Sequence, residues 1–396
     1  MKRWKPVRVC VPLTLALMIP LVANSTAGAS SSPSRTPKVV DAHGVNTKLH
    51  GSFAFYSGGD VNIQALWTSS LIPGFEHQYP NVKVDYVFDS HGIDDVTTLA
   101  KVALAEKDHR SSGYALIESA TNAVEVAARQ KLFIPVTNKT IPNSVNVPAS
   151  SMSVVKYDAI PYRGSKVVLA YNSSTVKNPP KTLDALLAWI TSNKGQFAYC
   201  APQDGGSGAY FVESVLDKYM TQADINTLAF TYVPSLESKW AAGMAELHSL
   251  NADVYGGGAY PTGNTQVLAL LASGAVQMAT VWSDQSIAGL ISGLLPPNIK
   301  VIDLNPPFAG SPVYLGVPKY TPPAQVKLVD TFLNYVLATP QQAKVVAILA
   351  GFPGIKTSLL PSQKKAEFTP IGTKLQLPYD ASASSDMNRI WAQDVP

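Results

Sequence analysis

Apolar and polar positions recur along this chain with two periods, and the two take turns. Val82, Val84, Tyr86 and Phe88 are interleaved with Lys83 and Asp85, the period of two that predicts a half-buried strand. Ile63, Leu66 and Trp67 fall on one face of a helix that Gly58-Gly59-Asp60 introduces, with Pro73-Gly74 expected to kink or interrupt it. The same spacing predicts helices over 95–107, 122–130, 183–191, 210–219, 239–249, 267–271, 324–337 and 341–349. Short apolar runs at 52–56, 114–117, 197–200 and 276–281 read as strands, and 157–171 and 308–317 as two longer extended passages. Strands spaced regularly between helices indicate α/β layering with helices on both faces of a sheet. No repeat of 20–50 residues is present.

The N-terminus departs from this pattern. Lys2, Arg3, Lys5 and Arg8 precede an apolar run from Val9 to Val22, and Ala27-Gly28-Ala29 follows. Basic, apolar and small-residue parts in that order predict a secretory signal peptide over 1–29, cut after Ala29. The apolar run is shorter than the ~20 residues a membrane-spanning helix needs. The formal charge of +4 belongs entirely to this segment, because its removal leaves 27 basic and 27 acidic residues. A neutral mature chain without basic clusters gives no ground for a nucleic-acid partner. Residues 30–48, rich in Ser, Thr, Pro and Gly, read as a flexible leader. No lipid-attachment box precedes Cys10, so a free periplasmic or secreted protein is expected. Cys200 is the single cysteine after cleavage, which excludes an intramolecular disulfide and suggests a buried thiol.

Motifs for catalysis are missing from the sequence: it has no HExxH, no CxxC, no P-loop, no nucleophile elbow and no dinucleotide fingerprint. An enzyme, a metal centre and a cofactor are therefore not expected. What the pattern does offer is a set of polar loops, each after a strand and before a helix. They are Tyr56-Ser57-Gly58-Gly59-Asp60, Asp89-Ser90-His91-Gly92, Glu118-Ser119-Ala120-Thr121, Gln203 to Tyr210, and Trp282-Ser283-Asp284. Open α/β sheets bind ligands at the C-terminal ends of their strands, and helix N-termini offer free N–H groups. The candidate ligand-binding residues are Tyr56, Ser57, Gly59, Asp60, Ser90, Ser119, Tyr162, Asp204, Ser207, Gly208, Tyr210, Trp282 and Asp284. Each also fits a structural role: Asp60 as an N-cap, Ser207-Gly208 as turn chemistry, Trp282 as core.

Several short stretches resemble the family-1 extracellular solute-binding proteins of ABC importers. Residues 75–84 (FEHQYPNVKV) match that family's F-x-x-x-Y-P-x-[IV]-x-V. Residues 160–166 (IPYRGSK) and 169–172 (LAYN) come next, then 178–189 (NPPKTLDALLAW), then 270–282 (LLASGAVQMATVW), and finally 313–319 (VYLGVPK), in the family's order. The resemblance implies an α/β, two-lobed type II periplasmic-binding fold with hinge strands and an interlobe cleft. It places lobe 1 at 49–159 with part of 313–396, lobe 2 at 160–312, and a return through the hinge and C-terminal helices at 313–396. The crossings fall near Ala159–Tyr162 and Ser311–Val313. The implied partners are a small-molecule solute and a membrane permease, and the expected state is a monomer. Among family ligands, iron is disfavoured because no Tyr-Tyr pair is present. Asp60, Glu118, Asp204 and Asp284 with Tyr56, Tyr162, Tyr210 and Trp282 would suit a polyamine. Ser57, Gly59, Ser119 and Ser207 would suit an oxyanion. Recurrent aromatics at the loops favour a small polar organic solute. An oxyanion or metal ligand, an exported hydrolase or a signalling receptor are the alternatives.

Overall fold

The computed structural model describes residues 44–90, 94–119, 124, 127–128, 130–366 and 376–396. The signal-peptide reading, nearly all of the leader, His91-Gly92, Ala120-Thr121 and most of the helix expected over 122–130 lie outside these residues. Nine strands are present among them: β1 (Gly51–Gly59), β2 (Val82–Ser90), β3 (Leu116–Ser119), β4 (Ile160–Asn172), β5 (Phe197–Ala198), β6 (Met278–Trp282), β7 (Ile299–Ile302), β8 (Gly310–Gly316) and β9 (Phe352–Pro353). The main sheet runs β2-β1-β3-β8-β4-β6-β5, with β7 and β9 also paired to β4. β1 pairs in parallel with β2 and β3, and β5 in parallel with β6, as βαβ crossovers require.

The two expected extended passages are β4 and β8, and they join the halves of the sheet. β4 spends Ile160–Lys166 against β8 and Val167–Tyr171 against β6. β8 in turn pairs with β3. A register shift between Pro161 and Arg163 breaks the β4–β8 ladder. Such a bulge re-aims the side chains on either side of it. Here it accompanies a Tyr162 side chain sunk in the core and an Arg163 side chain on a cleft wall.

Helix packing follows the apolar stripes. Phe53 and Phe55 on β1 meet Trp67, Phe75 and Phe332 in one aromatic cluster, with Phe75–Phe332 edge to face at 4.9 Å. Phe332 comes from helix Pro323–Val336, so this helix covers the β1 side. Helix Ala381–Asp394 packs instead on helix Ala241–Ser249 beyond β6, through Met387 and Trp391. The C-terminal helices are thus divided between the two halves. The expected break at Pro73-Gly74 is absent: helix Val61–Leu66 continues through a π-turn at Trp67–Leu71 into Ile72–Gln78. Pro73 directly follows the π-turn, whose lengthened hydrogen bonds accommodate its missing N–H without ending the helix. Among the described residues no helix is long and apolar enough to cross a membrane.

Candidate binding cleft

The strand-end loops converge as the α/β rule predicts. β1 ends at Gly59, β6 at Trp282, and each passes directly into a helix, while the segment after β5 leads into helix Gly206–Asp217. Around them lies a cleft of about 570 Å³. Gly59, Asp60, Asp204, Tyr210, Trp282 and Asp284 all line it. Six of the sequence candidates therefore share one cavity.

The remaining candidates are placed differently. Tyr56 is buried, and its hydroxyl donates to Asp89 Oδ2 at 2.8 Å and Asp95 Oδ1 at 2.9 Å. Ser57 and Tyr162 are fully buried and donate to the two carboxylate oxygens of Glu118. Ser207 and Gly208 are buried in the first turn of helix Gly206–Asp217, which starts four residues ahead of the expected Tyr210. A Cβ on Gly208 would stand 1.8 Å from the Cys200 carbonyl oxygen, so that glycine serves close packing. Ser90 is exposed at the end of edge strand β2, and Ser119 closes β3 opposite Tyr314. Cys200 is free and buried, and burial raises its thiol pKa, in keeping with an unreactive core thiol.

Beneath the cleft floor is a polar knot. Glu118 is fully buried and takes bonds from Ser57, from Trp67 Nε1 at 2.8 Å, from Tyr162, and from Arg163 Nη2 at 3.3 Å. Arg163 Nε also donates to the Tyr162 hydroxyl at 2.7 Å. Burial works against the guanidinium charge, but Tyr162, Glu118 and Asp284 outweigh it and hold the arginine pKa above its usual value. The Asp284 carboxyl is buried, which raises its pKa, while a bond from Ser165 Oγ at 2.7 Å and the nearby Arg163 partly restore its charge. Asp60 caps no helix with its side chain; its Oδ2 accepts from Gln285 Nε2 at 2.8 Å, linking the loop after β1 to the helix after β6. Tyr210 and Trp282 stand edge to face at 5.4 Å and form an aromatic corner.

Sequence reasoning missed Arg163, Ser165, Ser311, Asp95, Asn264 and Gln285, which also line the cleft. The first three lie on the crossing strands β4 and β8, not in strand-end loops. A signal was available for Arg163, a charge inside the passage 157–171 that reads as extended. Among the described residues no group of three or more His, Cys, Asp or Glu is arranged to hold a metal ion.

Solved structures share this architecture. A candidate extracellular solute-binding protein from Bordetella parapertussis superposes with a TM-score of 0.68 at 17% identity, covering 87% of this chain and 99% of that one. An ABC transporter structure from Clostridium perfringens gives 0.63 at 13% identity, covering 86% and 100%. A spermidine/putrescine ABC transporter substrate-binding protein from Streptococcus pneumoniae gives 0.62 at 14% identity, covering 87% and 99%. No curated protein matches the sequence. Two lobes joined by β4 and β8 around a cleft define a type II periplasmic-binding fold, the class that ABC importers use. The family is then given by the chain itself. Residues 71–370, well over half of its length, match the bacterial extracellular solute-binding proteins, and the chain belongs to that family. Its role is accordingly binding and not catalysis.

Proposed function

We propose that this chain captures a small cationic organic solute in the cleft and hands it to the permease of an ABC importer, acting as an exported monomer. The lobes would be 49–159 with part of 313–396, and 160–312, with β4 and β8 as the hinge strands and closure of the cleft as the motion. The observation that carries the solute class is the charge of the wall. Asp60, Asp95, Asp204 and Asp284 all line it, beside the rings of Tyr210 and Trp282. Among the described residues the one arginine there, Arg163, is already engaged by Tyr162 and Glu118, so it adds little attraction for an anion. Carboxylates with aromatic rings suit an ammonium group, through ion pairing and cation–π attraction. A cleft of this volume falls in the usual range for small-molecule sites, ~300–1,000 Å³.

Native mass spectrometry of the freshly purified protein tests this. A co-purified organic cation is the expected result. Recovery of phosphate, sulfate or a metal ion in stoichiometric amount would overturn it.

A further inference from the structure

The cleft carries hydrogen-bond donors as well as carboxylates, and one of them has its orientation fixed. Asn264 opens helix Asn264–Ser273 and forms part of the wall. Its Oδ1 is used inside the protein: it accepts from the Ser207 backbone N–H at 3.2 Å and from Ser207 Oγ at 2.8 Å. The Cys200 thiol approaches the same oxygen at 3.7 Å. These contacts hold Oδ1 against the start of helix Gly206–Asp217 and turn the amide nitrogen the other way. Among the described residues Asn264 Nδ2 donates to no acceptor. Trp282 lines the same wall, and its indole N–H, which can only donate, has no acceptor among the described residues.

A solute built only of ammonium groups would satisfy the carboxylates but would leave these donors without acceptors. Displacing water from an unanswered donor costs about as much as the lost bond. We infer that Asn264 determines specificity by donating from Nδ2 to an oxygen on the solute. The ligand class is then an amine that also carries an ether, carbonyl or hydroxyl oxygen, not a plain polyamine. This rests on the cationic reading above.

The test uses the full chain and two probes that differ by one atom, 3-methoxypropan-1-amine and pentan-1-amine. Both carry the same ammonium group; an acceptor-only ether oxygen in the first replaces a methylene in the second. Titration of the wild type is expected to favour the ether about tenfold, the worth of one hydrogen bond near 1.4 kcal/mol. Asn264→Asp retains the acceptor for Ser207, so the thermal midpoint without probe should stay close to wild type. Its added negative charge alone would tighten both amines. The inference instead expects the ether's advantage to vanish in this variant, while pentan-1-amine binds at least as tightly as before. Equal binding of the two probes by the wild type, or an undiminished ether preference in Asn264→Asp, overturns the role of Asn264 and leaves the cationic reading standing. Failure of both amines to bind, together with binding of phosphate or sulfate, overturns the cationic reading itself.

Discussion

The anchoring of the C-terminal segment predicts an unusual pH dependence of stability. Glu213 and Asp217 lie one turn apart on helix Gly206–Asp217 and hold the chain that leads into helix Ala381–Asp394. Tyr379 N–H donates to Glu213 Oε1 at 2.9 Å, Tyr379 OH to Asp217 Oδ1 at 2.6 Å, and Gln376 Nε2 to Asp217 Oδ2 at 2.8 Å. Burial pushes the Asp217 pKa from 3.8 up to about 6, against the opposing pull of Tyr379 and Gln376. Burial, and then the charge of Asp217, raise Glu213 as well. A carboxyl whose folded pKa exceeds its unfolded one contributes stability that is fully present below the unfolded value and lost as pH rises through the folded value. For Asp217 the window runs from about 4 to about 6, and the two-unit shift is worth up to about 3 kcal/mol. Asp217→Asn removes that loss at neutral pH. It costs about 1 kcal/mol, because the asparagine amide nitrogen cannot accept from Gln376. The variant should therefore be about 2 kcal/mol more stable than wild type near neutral pH and slightly less stable near pH 4. Urea unfolding of both proteins at the two pH values measures this. A stability difference that is the same at both pH values, or a variant less stable at neutral pH, would refute the assigned burial of the Asp217 charge.

Other substitutions separate the parts of the site. Gly206→Ala places a Cβ 2.5 Å from the Trp282 ring, so the ring must move; solute affinity should fall about tenfold, read by calorimetric titration, with the fold intact by circular dichroism. Glu118→Gln leaves Arg163 without its buried counter-charge and sets an amide nitrogen among the donors Ser57, Trp67 and Tyr162; a loss of about 3–5 kcal/mol is expected in chemical denaturation, with a change in tryptophan fluorescence. Gln285→Leu removes the bond to Asp60 that joins the two sides of the cleft. Small-angle scattering without solute should then show a more open average than the wild type.

The site was legible in the sequence wherever it follows from topology. Asp60 and Asp284 stand at the ends of strands whose apolar runs were plain, and the rule for strand C-termini places such residues in a cleft. The same rule misplaced Ser57 and Tyr56. It marks a loop but does not say which of its residues still belong to the strand, and both are in β1. Ser207 and Gly208 went astray in a related way, since glycines that looked like a turn are the start of a helix packed against Cys200. Arg163, Ser165 and Ser311 come from β4 and β8, whose side chains reach the cleft only because two distant segments pair there. That pairing spans about 150 residues of sequence and carries no local signal. Asn264 lies ahead of the helix expected over 267–271, whereas the helix starts at Asn264 itself; its role emerges only from its contact with Ser207.

The central claim, a cleft built for a cation, is most directly tested by thermal-shift titration of the wild type beside an Asp60→Asn/Asp204→Asn double variant, with organic amines, neutral sugars and inorganic oxyanions as ligands. Ligand binding to the folded state raises the midpoint by mass action. The account predicts that amines alone stabilise the wild type and that the double variant loses most of that shift. Stabilisation of the wild type by phosphate or sulfate, growing larger in the double variant, would contradict it.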